Sequence, residues 1–227
     1  MLEAVFHWVG FGLCHQLPER SLFAGGFQLP VCARDTGIYA GFLLSVIVIA
    51  LVERGRRPSE LSRPWLLVVG AVFLGTMVVD GVSSYAGWRP TTNDLRLITG
   101  LLAGYSLPLI VIPMLNAQMW KTVSGRKLLD GWRAAVWLTS VPIAFAVMRW
   151  MLPLAGVAYP LFLVLAIVVT FVAVNMIFAT LIPAFEHKAL TLRGAWLQIA
   201  LSVALVAAEL LVASWVRLVV ERLAAGL

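Results

Sequence analysis

Charge is what this chain has least of. Only 12% of its 227 residues are Asp, Glu, Lys or Arg, about half the share of a typical soluble domain, so a soluble globular fold is excluded. Cysteine occurs twice and histidine three times, which excludes a four-cysteine zinc module and any disulfide framework beyond one bridge. A Walker-type phosphate loop, a His-Glu-x-x-His helix, a Cys-x-x-Cys-His haem motif and a serine-hydrolase signature are all missing.

What fills the space is hydrocarbon: 61% of residues are hydrophobic and the mean hydropathy is +0.94. Apolar runs at 36–52, 64–79, 97–115, 134–151, 159–182 and 196–216 each approach or reach the length that an α-helix needs to cross a bilayer. They are apolar on every face, whereas barrel strands alternate, so strands are rejected. The expected fold is all-α: a polytopic membrane protein with about six transmembrane helices, forming one domain over 1–227. Residues 2–14 offer only roughly 20 Å of helix, too short to span, so 1–35 is read as an interfacial or re-entrant segment rather than a signal peptide.

Orientation follows from the basic residues. The connections after the first, third and fifth spans hold Arg54, Arg56, Arg57, Arg63, Lys121, Arg126, Lys127, Arg133, Lys188 and Arg193, ten of the seventeen in the chain. Those loops belong in the cytoplasm, which puts both termini outside it in a cell inner (plasma) membrane. The net charge of +6 is largely this loop bias, so no nucleic-acid partner is expected. Membrane lipids are the expected neighbours, with a second copy or another membrane protein as further partners.

A repeat lies inside the chain. TGIYAGFLLSVIVI at 36–49 matches TGLLAGYSLPLIVI at 99–112 in eight of fourteen positions, which suggests duplicated hairpins at 36–95 and 99–155. Both copies carry a glycine pair four residues apart, Gly37 with Gly41 and Gly100 with Gly104, so the first and third spans are expected to pack closely. Pro108 and Pro113 are expected to kink the third.

Polar chemistry collects at the outer ends. Cys14, His15, Cys32, Arg34 and Asp35 precede the first span, Asp80 ends the second, and Arg89, Asn93, Asp94 and Arg96 lead into the third. Arg149 and Glu209 extend the set, and the inner half is expected to have nothing comparable. Ionisable groups at membrane depth are costly and usually mark a site. Arg34, Arg89, Asn93 and Arg96 are the anion-binding candidates, and Asp35 and Asp80 the candidate catalytic carboxylates. Glu209 could instead pair with Arg217.

Cys-His-Gln at Cys14, followed by Cys32-Ala-Arg-Asp-Thr-Gly-Ile-Tyr and the Asp80-Gly segment leading to Thr99-Gly-Leu, resembles a family of prokaryotic integral membrane proteins known only as a domain of unknown function. The resemblance covers roughly residues 10–115 and implies a membrane fold with this outer cluster. The family pattern has Cys-x-x-Cys where this chain has Cys32 and Asp35; its three thiols and imidazole would suit zinc or thiol exchange.

For this chain three states of the cysteines stay open: a Cys14–Cys32 disulfide, a zinc site of Cys14, His15, Cys32 and Asp35, or free thiols. Functionally, an enzyme acting on an anionic, lipid-like amphiphile leads, with a small-solute or lipid transporter and a non-catalytic complex subunit as alternatives.

Overall fold

The computed structural model describes residues 2–226. Helix α1 (Leu2–Phe11) is followed by a two-stranded antiparallel hairpin, β1 (Ser21–Ala24) and β2 (Phe27–Cys32). Then come α2 (Ala33–Val52), β3 (Pro58–Glu60), α3 (Pro64–Tyr85), α4 (Asn93–Ser106), α5 (Pro108–Met119), β4 (Ser124–Lys127), α6 (Trp132–Ala146), α7 (Ala158–Thr180) and α8 (Trp196–Ala224).

Six helical segments are long and apolar enough to cross a membrane: Ala33–Val52, Pro64–Tyr85, Asn93–Met119, Trp132–Ala155, Ala158–Thr180 and Leu192–Ala224. The all-α polytopic fold is therefore as expected. Several spans begin or end a turn beyond their apolar runs, because those turns are polar: Arg34 and Asp35 open α2, and Asn93, Asp94 and Arg96 open α4. Pro64 starts α3 at a position where its missing N–H costs nothing. The Thr92 hydroxyl caps α4 by accepting from the Leu95 amide at 3.2 Å. The third span breaks at Leu107, immediately before Pro108, which has no N–H to continue the ladder.

The hairpin was not anticipated, although its signal was present. Gly25 and Gly26 both have positive φ (56° and 83°) and join paired Ala24 and Phe27, the backbone that a two-residue turn between twisted strands requires.

Helices α2 and α4 pack backbone to backbone. A β-carbon at Gly37, Gly100 or Gly104 would overlap the carbonyl oxygen of Leu97, Arg34 or Ile38 respectively, and one at Gly41 would lie 2.7 Å from the Leu101 oxygen. With lipid on every side, contact at this range supplies the dispersion attraction that hydrophobic burial cannot. Below it sits a dry core of Leu43, Leu101, Tyr105, Trp137 and Leu163. Ser45, buried against it, is satisfied: its Oγ accepts from Trp137 Nε1 at 2.8 Å and donates to the Tyr105 carbonyl at 3.1 Å. Helix α3 packs on α4, α7 on α2, and α8 mainly on α7, which leaves α8 peripheral.

The two ends of the bundle differ. One carries α1 and the β1–β2 hairpin; the other carries the basic loops, where β3 and β4 pair in parallel. The expectation that this second end lacks an ionisable cluster is corrected. Glu53, 5% exposed, accepts from the Leu129 amide at 2.9 Å and lies 3.6 Å from Arg133 and 3.8 Å from Arg56. Adjacent Arg63 and Asp130 pair at 2.6 Å. Glu53 escaped notice because it is one acid among many bases in the sequence, and only the fold buries it.

Candidate functional site

The hairpin end is built around the Cys-His-Gln segment. Gln16, in the left-handed region (φ 54°), donates from Nε2 to the carbonyls of Pro30 at 2.7 Å and His7 at 2.9 Å. Gln28 in turn donates to the Gln16 carbonyl at 2.7 Å. From the far end of the chain, Arg217 Nη1 reaches the carbonyls of Phe11 at 2.6 Å and Cys14 at 2.5 Å. These bonds satisfy a turn that would otherwise leave its polar backbone unpaired, and they fix Cys14 beside β2.

Cys14 thereby meets Cys32 and Asp35. The Cys32 amide donates to Cys14 Sγ at 3.2 Å, and the single Cys32 S–H has two acceptors in reach, Asp35 Oδ2 at 3.3 Å and the Cys14 sulfur. One ligand atom from each of Cys14, Cys32 and Asp35 lies within 4.8 Å of the others. The two sulfurs are not joined. A hydrogen bond from the Cys32 side chain pulls the Cys14 thiol down from 9.0 to about 7, against the opposing effect of burial. Cys32 moves upward, because its proton is held in that bond and because it is buried. His15 is exposed and stands outside the three-residue group.

A second cluster surrounds Asp80, which is 1% exposed. Its Oδ2 accepts from Arg34 Nη2 at 2.5 Å and Thr99 Oγ1 at 3.3 Å; its Oδ1 accepts from Arg89 Nη2 at 2.7 Å and Thr91 Oγ1 at 2.9 Å. Both oxygens therefore carry two donors. Asn93 donates to the carbonyls of Glu19 and Ser21 and accepts from Arg96, so it ties α4 to the hairpin. Arg149 pairs with Asp94 at 2.5 Å. Among the described residues, Arg20 and Arg96 have no carboxylate partner, and the buried Nε of Arg34 has no acceptor.

Glu209 does not pair with Arg217. It accepts from Asn175 Nδ2 at 3.0 Å, while Arg217 binds Glu221 at 2.7 Å as well as the two carbonyls.

A cavity of about 400 Å³ is lined by Cys14, His15, Cys32 and Asp35 together with Arg20, Arg34 and Tyr85. Arg34 and Tyr85 also border a groove of about 510 Å³ that continues between Met77, Val78, Gly81 and Val82 of α3. Arg20 and Tyr85 were missed as site residues because both lie outside the quoted motifs; Arg20 sits over the Tyr85 ring at 5.9 Å only once the hairpin is folded.

A six-span helical domain with a thiol, carboxylate and arginine cavity at one end defines a class of integral membrane protein. Within it, residues 14–110 match the family described as predicted membrane protein (DUF2085). The chain is 33% identical over 109 residues to an uncharacterized protein of Methanocaldococcus jannaschii, covering 48% of this chain and 67% of that one. It is also 33% identical over 98 residues to an uncharacterized protein of Methanothermobacter thermautotrophicus, covering 43% of this chain and 83% of that one. The chain belongs to this family of predicted membrane proteins. No solved structure matches it. The matched region contains Cys14, Cys32, Asp35, Asp80 and both glycine pairs, and ends before α6.

Proposed function

We propose that this chain is a plasma-membrane enzyme whose hairpin end faces away from the cytoplasm and takes the headgroup of an anionic amphiphile. The observation that carries this reading is the sharing of Arg34 and Tyr85 between a polar cavity and an apolar groove along α3. An amphiphile needs that junction: a cationic place for its head and a hydrocarbon-lined path for its chain, open to the bilayer. Arg20, free of carboxylates, is the primary headgroup ligand, with Arg34 Nε as a second donor. Cys14 and Asp35 are the groups placed to react. Asp80 is the scaffold that orients Arg34 and Arg89, since all its acceptor positions are engaged.

A carrier needs a route through the bundle, and Leu43, Leu101, Tyr105 and Trp137 are instead packed together in its buried core. A subunit role has one observation in its favour. Glu209 is exposed on α8, the peripheral helix, where a partner chain would shield it from lipid.

Binding of dihexanoyl phosphatidate to the full chain in detergent tests the reading. It is expected to exceed binding of the zwitterionic dihexanoyl phosphatidylcholine, and Arg20→Gln is expected to weaken it by about tenfold, the value of one charge-assisted hydrogen bond. Equal binding of the two lipids, unaltered by Arg20→Gln, would remove the proposal.

A further inference from the structure

We propose that Cys14, Cys32 and Asp35 hold a single divalent cation of the zinc type, with its fourth coordination position opening into the cavity. This deepens the headgroup reading and rests on it for Cys14 and Asp35, which here act by holding the cation, whereas the headgroup itself is bound by Arg20 and Arg34.

Geometry comes first. A tetrahedral zinc with sulfur at 2.3 Å and oxygen near 2.1 Å sets its ligand atoms about 3.6–3.8 Å apart. The three ligand atoms here lie within 4.8 Å of one another, and the Cys32 sulfur is 3.3 Å from Asp35 Oδ2, so closure on a cation requires shifts of no more than about 1.2 Å. Cys32 caps α2 and Asp35 lies in its first turn, three residues on, which places both on one face of the helix start. Cys14 arrives from the turn that follows α1.

Preorganisation comes next. Cys14 is held through its carbonyl by Arg217 and through Gln16 by β2, and its sulfur receives the Cys32 amide. Such outer bonds orient ligands before the cation arrives. Two thiolates and a carboxylate offset a dication and leave one negative charge, which Arg20 and Arg34 on the cavity wall balance.

The donor number then matters. Three protein ligands beside a water-accessible cavity are the pattern of a catalytic cation, whereas a structural one is enclosed by four. His15 borders the same cavity but lies outside the 4.8 Å group, so it is not one of the three ligands. The fourth position is therefore left for water or for a headgroup oxygen, and a phosphate or carboxylate oxygen is a suitable ligand there.

Cobalt titration of the full chain, stripped of metal and reduced, decides the matter. One cobalt per chain is expected, with a thiolate-to-cobalt charge-transfer band in the near ultraviolet, the visible bands of tetrahedral cobalt, and displacement by zinc. Cys14→Ser and Cys32→Ser should each lose most of the charge-transfer band. Asp35→Cys should keep one cobalt and strengthen that band by about half, as three thiolates replace two; this gain separates ligation from a failure to fold. No cobalt bands, bands unchanged by Cys14→Ser, or protein isolated without reductant that carries a stoichiometric Cys14–Cys32 disulfide would overturn the proposal. If only the cation reading fails, dihexanoyl phosphatidate still binds; if only the headgroup reading fails, cobalt still binds and the lipid does not.

Discussion

Gly100 and Arg34 meet backbone to backbone, so closely that a β-carbon on the glycine would overlap the arginine's carbonyl oxygen. This contact sets the height of Arg34 against α4 and hence the position of its guanidinium over Asp80. Gly100→Ala is therefore expected to cost about 1–3 kcal/mol by overpacking and to lower the thermal midpoint in detergent. Gly75→Ala, on α3 with nothing within 4 Å, is the control and should be neutral or slightly stabilising. Equal effects of the two substitutions would contradict the packing argument.

Asp80 holds two guanidiniums in a nearly closed setting. Replacing it with alanine leaves Arg34 without its ion-pair partner, and an uncompensated charge of that kind costs on the order of 3–5 kcal/mol. The double variant Asp80→Ala, Arg34→Met should be more stable than Asp80→Ala alone. Additive losses in a double-mutant cycle would show that the pair is not coupled.

Alkylation of Cys14 in metal-free protein reports the thiol environment. Because its thiol is drawn down to about 7, reactivity should be half-maximal near that pH and fall to about a tenth by one unit lower. The sign follows from the donor: the Cys32 proton stabilises the thiolate. Cys32→Ala removes that donor, so the midpoint should rise towards 9.0 and the rate at pH 7 should fall. Mass spectrometry of pH-dependent labelling measures both, and an unchanged midpoint in Cys32→Ala would refute the cause assigned here.

Single cysteines at Gly55 and Gly87, in a background lacking Cys14 and Cys32, test orientation. Both glycines occupy left-handed turns with open surroundings (φ 75° and 72°), so the substitutions carry similar strain. An impermeant maleimide applied to intact cells should label Gly87→Cys only. Labelling of Gly55→Cys alone would place the cavity in the cytoplasm.

Much of the architecture was legible because hydrophobic length and glycine spacing are local properties. The six runs and the paired Gly37, Gly41, Gly100 and Gly104 needed no knowledge of what they face. The grouping of the site was only half legible. Cys14, Cys32 and Asp35 could be nominated by chemistry, but that their ligand atoms come within 4.8 Å of one another without neighbouring His15 depends on how the chain turns between α1 and the hairpin, which no single-residue propensity announces. The roles of the arginines were less accessible still. Arg34, Arg89 and Asn93 look alike as anion ligands in sequence, yet the fold commits two to Asp80 and one to the hairpin, and leaves Arg20 free. Burial of Glu53 depends on Leu129 and Arg133, more than seventy residues away, a distance over which a local pattern carries no information.

The Arg217 clamp on Phe11 and Cys14 also sets a timetable. At ordinary elongation rates roughly 10–40 s separate the synthesis of Cys14 from that of Arg217, 203 residues later. Throughout that interval the nascent Cys14 lacks the guanidinium that holds its carbonyl. The cavity is therefore completed only after the last helix inserts, so a truncation that removes Arg217 disturbs a site more than two hundred residues upstream.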